Sequence, residues 1–151
     1  MKKNILIKGA ATSLISALIG IIVFIVIQEI YFVLEFGWSS SRLGLGLFVG
    51  LGLVTIPSIL AGLFLSMILY EDFLQNRLNM LMAILKGGAL GLMVSLGLCA
   101  LVFILINGRA TFSIFLTYTL EAILITVFCG AYVGKKIADD ILKLASRASM
   151  N

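Results

Sequence analysis

Long runs of apolar residues alternate with short polar segments along the chain, and this pattern predicts four membrane-spanning helices. The runs cover residues 11–30, 43–69, 80–106 and 111–134. Each reaches the length of about 20 residues that a helix needs to cross a hydrocarbon core of about 30 Å. The runs are continuous and lack the period-2 alternation of a barrel strand. The predicted fold class is therefore an all-α integral membrane protein.

Composition strengthens this interpretation. Of the 151 residues, 62% are hydrophobic, against about 45–50% in soluble domains, and the mean hydropathy is +1.20. A soluble core of this size cannot bury so much apolar surface, so lipid is the expected solvent. The N-terminus, MKKNILIKG, resembles the start of a signal sequence, but no small-x-small cleavage site follows. The first run is therefore predicted to remain as an uncleaved span, and no soluble domain is predicted.

The lysines and arginines predict which ends face the cytoplasm. Nine of the 11 fall on one side of the predicted spans, and only Arg42 and Arg109 fall on the other. This bias predicts a multi-pass protein of the plasma or inner membrane with both termini and the middle loop in the cytoplasm. It also accounts for the net charge of +4, so no nucleic-acid partner is expected. The nine are Lys2, Lys3, Lys8, Arg77, Lys86, Lys135, Lys136, Lys143 and Arg147.

The two halves of the chain resemble each other. Gly9 and Gly87 open the first and third spans 78 positions apart, and Gly62 and Gly130 close the second and fourth 68 positions apart. Small residues recur every four positions on each span, and the stripes superimpose under these two offsets. Such faces let helix backbones approach closely in lipid. The predicted packing glycines are Gly46, Gly50, Gly62, Gly87, Gly91, Gly130 and Gly134.

This repetition predicts a duplicated helical hairpin, one copy in residues 1–79 and the other in 80–151. The halves are expected to be related by a pseudo-twofold axis along the membrane normal, as in parallel repeats. A chance match between two apolar, glycine-rich sequences is the alternative.

Glu121 lies within an apolar stretch, TYTLEAILITVF, close to the middle of the fourth span. A charged side chain at that depth costs about 2.5–3.5 kcal/mol on insertion scales, so such residues face an interior or a pathway. Three interpretations stay open: an ion or proton site, a hydrogen-bonding link between helices, or the partner of a basic or polar residue on another membrane subunit. The polar residues predicted to accompany it are Thr117, Tyr118, Thr55, Ser58 and Ser95.

The residue types that are missing exclude several chemistries. Without histidine there is no Ser-His dyad and no HExxH zinc site. Cys99 and Cys129 are predicted at depths that differ by about 15 Å, too far for a disulfide, and they form a poor metal site. The aspartates fall in cytoplasmic segments, so no intramembrane aspartyl pair is expected. Neither enzymatic activity nor a cofactor nor a metal is predicted.

The C-terminal segment, residues 135–151, is predicted to continue the fourth helix as an amphipathic tail. Its apolar residues share one face, while Lys136–Asp140 and Asp139–Lys143 are spaced as i,i+4 ion pairs. Such a tail lies on the lipid surface, docks a cytoplasmic partner, or is the solvated end of the span. The residues predicted for partner docking are Lys135, Lys136, Asp139 and Asp140.

In architecture the chain resembles the proteolipid of rotary V-type ATPases, which also has four glycine-rich spans in a fused double hairpin with one essential glutamate in the fourth. The resemblance rests on Glu121 and general composition, whereas the cytoplasmic termini and the charged tail differ from that family, and no family is assigned. The predicted function is a small oligomeric channel- or transporter-like protein, associated with lipid and with further copies of itself, in which Glu121 serves an ion or proton path. The alternative is a non-catalytic membrane anchor or sensor subunit, of stress, immunity or phage-defence type, that recruits a cytoplasmic partner.

Overall fold

A computed structural model describes residues 2–36, 43–105 and 112–148, with side chains described at 3–30, 33–34, 58–101 and 120–146. The predicted all-helical fold is confirmed, because four helices coincide with the four apolar runs. Helices α1, α2 and α4 extend beyond their runs, since capping and packing rather than hydropathy end a helix. The helices are α1 Lys2–Phe36, α2 Leu43–Leu74, α3 Met80–Leu105 and α4 Phe112–Ala148.

Two stretches of the described residues are long and apolar enough to cross a membrane. They are Lys3–Ile30 in α1 and Met80–Leu101 in α3. Many large apolar side chains face outward in this bundle, and Phe128, for example, is 73% exposed. The buried polar residues are all serines, namely Ser13, Ser16, Ser58, Ser66 and Ser95.

The four helices form a bundle built from two hairpins. Helix α1 packs on α2 and α3 packs on α4, and these are the most extensive helix pairs. The hairpins join mainly through α1 and α4, with further contacts of α2 against α3 and α4. Among the described residues α1 and α3 make no close contact, so α2 and α4 form the short diagonal of the bundle.

The turn between α2 and α3 explains why the chain reverses at this point. The N–H of Arg77 donates to the carbonyl of Asp72 at 2.8 Å, and Asn76 takes a positive φ of 54°. This is a Schellman cap, in which asparagine tolerates the left-handed conformation better than most residues. The N–H of Leu81 then donates to Oδ1 of Asn79 at 3.0 Å. Asn79 is therefore the N-cap of α3.

Within each hairpin the helices cross at small residues. Gly9 of α1 lies against Gly62 and Ser66 of α2, and a Cβ at Gly9 would overlap the Ser66 hydroxyl. Gly87 of α3 lies in the same way against Gly130 of α4, where a Cβ on either glycine would overlap the other's carbonyl oxygen. The backbones therefore approach closely, as small-xxx-small faces allow.

These two crossings correspond residue by residue under the sequence offsets. The contact between Gly9 and Gly62 becomes that between Gly87 and Gly130 on adding 78 and 68. The contact between Gly9 and Ser66 likewise becomes that between Gly87 and Gly134. The two hairpins thus cross at equivalent places.

A buried apolar cluster joins all four helices near the end where the chain begins. It contains Ile5 of α1 and Ala83 of α3, together with four residues from the C-terminal half of α4. Ile141 in the predicted tail is 0% exposed. The predicted continuation of the helix past residue 134 is confirmed, but its apolar face is occupied inside the bundle. The full cluster is Ile5, Leu65, Leu69, Ala83, Val133, Ile137, Ala138 and Ile141.

Candidate functional site

Glu121 has a polar partner on another hairpin. Its Oε2 accepts a hydrogen bond from Nε2 of Gln28, and both side chains are half-buried. Gln28 belongs to α1 and Glu121 to α4, so this bond joins the two hairpins. The sequence did not indicate Gln28 as a partner, because counting from residue 11 places it at the outer end of the first span.

The packing of α1 on α4 brings these two residues together. The Ser16 hydroxyl donates to the Cys129 carbonyl at 3.5 Å, and the Cys129 thiol donates to the Ser16 carbonyl at 3.4 Å. From this contact toward the same end of the bundle, Gln28 lies 12 residues, or about three turns, along α1, and Glu121 lies eight residues, or about two turns, along α4. Gly20 keeps the helices close in between, since a Cβ there would lie 3.1 Å from the Cys129 sulfur.

The structure describes two of the serines that were predicted to accompany Glu121. The Ser58 carbonyl accepts a hydrogen bond from the Ser13 hydroxyl at 2.6 Å, so Ser58 belongs to the crossing of α1 and α2. Ser95 is 2% exposed, and its hydroxyl has no hydrogen-bond partner among the described residues. Thr55, Thr117 and Tyr118, and the glycines Gly46 and Gly50, lie outside the residues whose side chains the structure describes.

Helical spacing places Ser95 near the level of Glu121. Gly91 contacts Thr126 of α4, and Ser95 lies one turn further along α3. On an antiparallel partner the matching position is one turn earlier, at Ala122, next to Glu121. A buried hydroxyl without a partner is costly. The level of the Glu121 carboxyl therefore also holds the Ser95 hydroxyl, which has no hydrogen-bond partner among the described residues.

The Glu121 carboxyl and the Gln28 carboxamide can stay hydrogen-bonded whether or not the carboxyl carries a proton. An ionised carboxylate only accepts hydrogen bonds, whereas a protonated one also donates, and a glutamine amide offers both functions. Gln28 can therefore bond to Glu121 in either state by turning its amide. Divalent cations need more oxygen ligands, and within the described residues no cluster of three His, Cys, Asp or Glu occurs.

A double-mutant cycle should detect the bond between Gln28 and Glu121. We expect Gln28→Leu and Glu121→Leu to be non-additive by about 0.5–1.5 kcal/mol, the usual net contribution of one hydrogen bond. The measurement is the free energy of unfolding in mixed micelles. Val26→Ala, on an exposed position of α1, should be additive with Glu121→Leu. Additivity in both cycles would contradict the contact.

The charged residues near the turn between α2 and α3 differ from those of the tail in pairing and exposure. Lys86 Nζ and Asp72 Oδ2 form an ion pair at 2.5 Å that joins α2 to α3. Lys135 and Lys136 point outward, while Asp139 and Asp140 are half-buried. The predicted i,i+4 pairs of the tail are not formed, because the pair at the turn is the only ion pair within the described part of the chain. Both cysteines are free, as predicted.

Fold and surface together define the class of protein. It is an all-α four-helix bundle, and within the described residues two helices are apolar enough to cross a membrane. No protein family model, curated protein or solved structure matches the chain.

Proposed function

We propose that all four helices span a cell membrane and that both termini face the cytoplasm. The outward surface supports this proposal, since large aliphatic groups on all four helices face outward while five serines are buried. In lipid, small residues pack helices together while large apolar ones meet acyl chains. The excess of lysine at the end that holds Lys8, Lys86 and Lys135 supports the orientation.

Within this membrane protein, the pair of Gln28 and Glu121 is a proton or ion site, and the function is that of a small oligomeric channel or transporter. The observation that carries the proposal is the hydrogen bond between these side chains across the two hairpins. Polar groups in a span face an interior or a pathway. A proton fits this pair best, because Gln28 can bond to both protonation states of one carboxyl.

Proton flux into liposomes tests this proposal. The purified protein is reconstituted with a pH-sensitive dye inside, and a potassium diffusion potential drives uptake. Glu121→Gln keeps the hydrogen-bonding shape but cannot titrate, so its flux should fall to that of empty liposomes. Glu121→Asp should retain part of the flux, and Glu29→Gln, at a half-buried acid on α1, should retain all of it.

Two results would overturn the proposal. Wild-type flux no greater than that of empty liposomes, for protons and for monovalent cations alike, would remove the transport function. Equal flux in wild type and Glu121→Gln would remove the glutamate from the path.

A second candidate is a membrane anchor or sensor subunit that recruits a cytoplasmic partner. The outward lysines, Lys135 and Lys136, favour it, because both are exposed and neither forms an ion pair with a described residue. A partner would contact this charged side of α4, since the apolar side is buried. Loss of a defined co-purifying subunit on Lys135→Glu and Lys136→Glu would support this role. Truncation from residue 138 is unsuitable, because it removes core residues.

A further inference from the structure

Helix α1 carries an outward stripe of large apolar side chains that ends in a lysine. Ile15, Ile19, Ile22 and Val26 are all between 50% and 58% exposed. These positions recur at three- and four-residue intervals, so they share one face of the helix. Lys8, also exposed, lies seven residues before Ile15 on the same face. The ammonium group therefore terminates the stripe toward the N-terminal end of the bundle.

Helix α4 repeats this arrangement in the opposite chain direction. Leu120, Leu124 and Phe128 form its outward apolar stripe. Lys135, also exposed, lies seven residues after Phe128 on the same face. Tyr132, which is 58% exposed, lies between the apolar stripe and the lysine. Tyrosine is typical of the boundary between hydrocarbon and headgroups.

The two lysines lie at one level of the bundle. The contact between Ser16 and Cys129 aligns the antiparallel helices. Eight residues from this contact toward the same end, the sequence reaches Lys8 on α1 and position 137 on α4, two residues from Lys135. At 1.5 Å per residue the two lysines differ in depth by about 3 Å.

Among the described residues, neither lysine is paired with a carboxylate. Lys86, another lysine near this end of the spans, is paired with Asp72. Lys8 and Lys135 form no ion pair with any described residue. Each leaves a positive charge at the end of an apolar surface, which is complementary to an anionic headgroup attached to acyl chains.

From this complementarity we infer that the stripes ending in Lys8 and Lys135 bind anionic phospholipids of the cytoplasmic leaflet. The acyl chains lie along the apolar stripe, and the lysine binds the phosphate. The inference rests on the membrane insertion proposed above. Each lysine near an anionic surface contributes about 1 kcal/mol, which corresponds to a factor of about five in affinity.

Native mass spectrometry of the detergent-solubilised protein tests the inference by titration with phosphatidylglycerol and with phosphatidylcholine of matched chains. The wild type should bind phosphatidylglycerol more tightly. Lys8→Gln and Lys135→Gln should each weaken that preference about fivefold. Lys143→Gln is the matched control, because Lys143 is exposed on the same helix two turns beyond the stripe, and it should change nothing. Circular dichroism verifies that each variant keeps its helices.

Different results would overturn the lipid-binding inference and the proposed membrane insertion. Equal affinity for the two lipids, or an equal effect of Lys143→Gln, would overturn the inference. Competition by soluble glycerol phosphate as strong as by the lipid would also overturn it, since the site would then take a free phosphate ester. Release of the protein from membranes by alkaline carbonate would instead overturn the proposed insertion, whereas retention with no lipid preference removes this inference alone.

Discussion

Replacing Gly87 by alanine is expected to destabilise the protein by about 3 kcal/mol, the upper range for overpacking a close contact. The added methyl group would overlap the carbonyl oxygen of Gly130, and it would also press on the Cα of Gly134. These are backbone atoms of a long helix, so they cannot rotate away as a flexible side chain can. Helices α3 and α4 would have to separate along their crossing. Unfolding in mixed micelles, followed by circular dichroism, measures the loss.

Gly97 provides the matched control on the same helix. A Cβ at Gly97 meets nothing within 4 Å among the described residues. Gly97→Ala should therefore leave stability unchanged or raise it by up to about 1 kcal/mol through helix propensity. Equal effects of the two substitutions would show that α3 and α4 do not cross at Gly87.

Replacing Ile141 by alanine is expected to cost about 2–5 kcal/mol, the range for truncating a fully buried aliphatic side chain. Ile141 lies in the predicted tail, but its side chain is 0% exposed and packs in the cluster with Ile5 and Leu69. Removing three of its carbon atoms leaves a cavity where α1, α2 and α4 meet. The free energy of unfolding measures the effect.

A substitution at the adjacent Leu142 provides the control that distinguishes a buried tail from a solvated one. Leu142 is 46% exposed, so Leu142→Ala should cost about 1 kcal/mol or less. If Ile141→Ala were equally mild, the tail would be a solvated extension of the span, which was one of the interpretations that the sequence allowed.

The sequence predicted the helices well because their signal is local. The starts of α2 at Leu43 and of α3 at Met80 coincide with the predicted runs. The extent of α1 was underestimated, since its first turns carry lysines that hydropathy excludes from a span. These turns are nevertheless helical, because Ile5 packs into the core and holds them against the other helices.

The partner of Glu121 was not predictable by the same means. Its position within its own predicted span puts Gln28 near one membrane surface, whereas Glu121 falls near the middle of its span. The two meet because α1 and α4 are set against each other by the contact of Ser16 with Cys129. That register depends on interlocking side chains of two distant segments, and no periodicity within one helix encodes it.

The internal repeat was predictable in part. Its offsets came from sequence, and the crossings at Gly62 and Gly130 occupy equivalent places. The two hairpins nevertheless differ in chemistry: Ser13 donates a hydrogen bond across the first crossing, where the second has Gly91. A duplicated origin remains a prediction, supported by this correspondence.

The unbroken course of α4 makes it a mechanical connection through the whole bundle. The helix contains 37 residues and no proline, so about 55 Å of chain moves as one rod. Glu121 and Ile141 are held on this rod about 30 Å apart. A rotation of α4 that broke the bond to Gln28 would turn Ala138 and Ile141 within the core at the other end. A change in the hydrogen bonding of Glu121 would then also change the packing near Lys135 and Lys136.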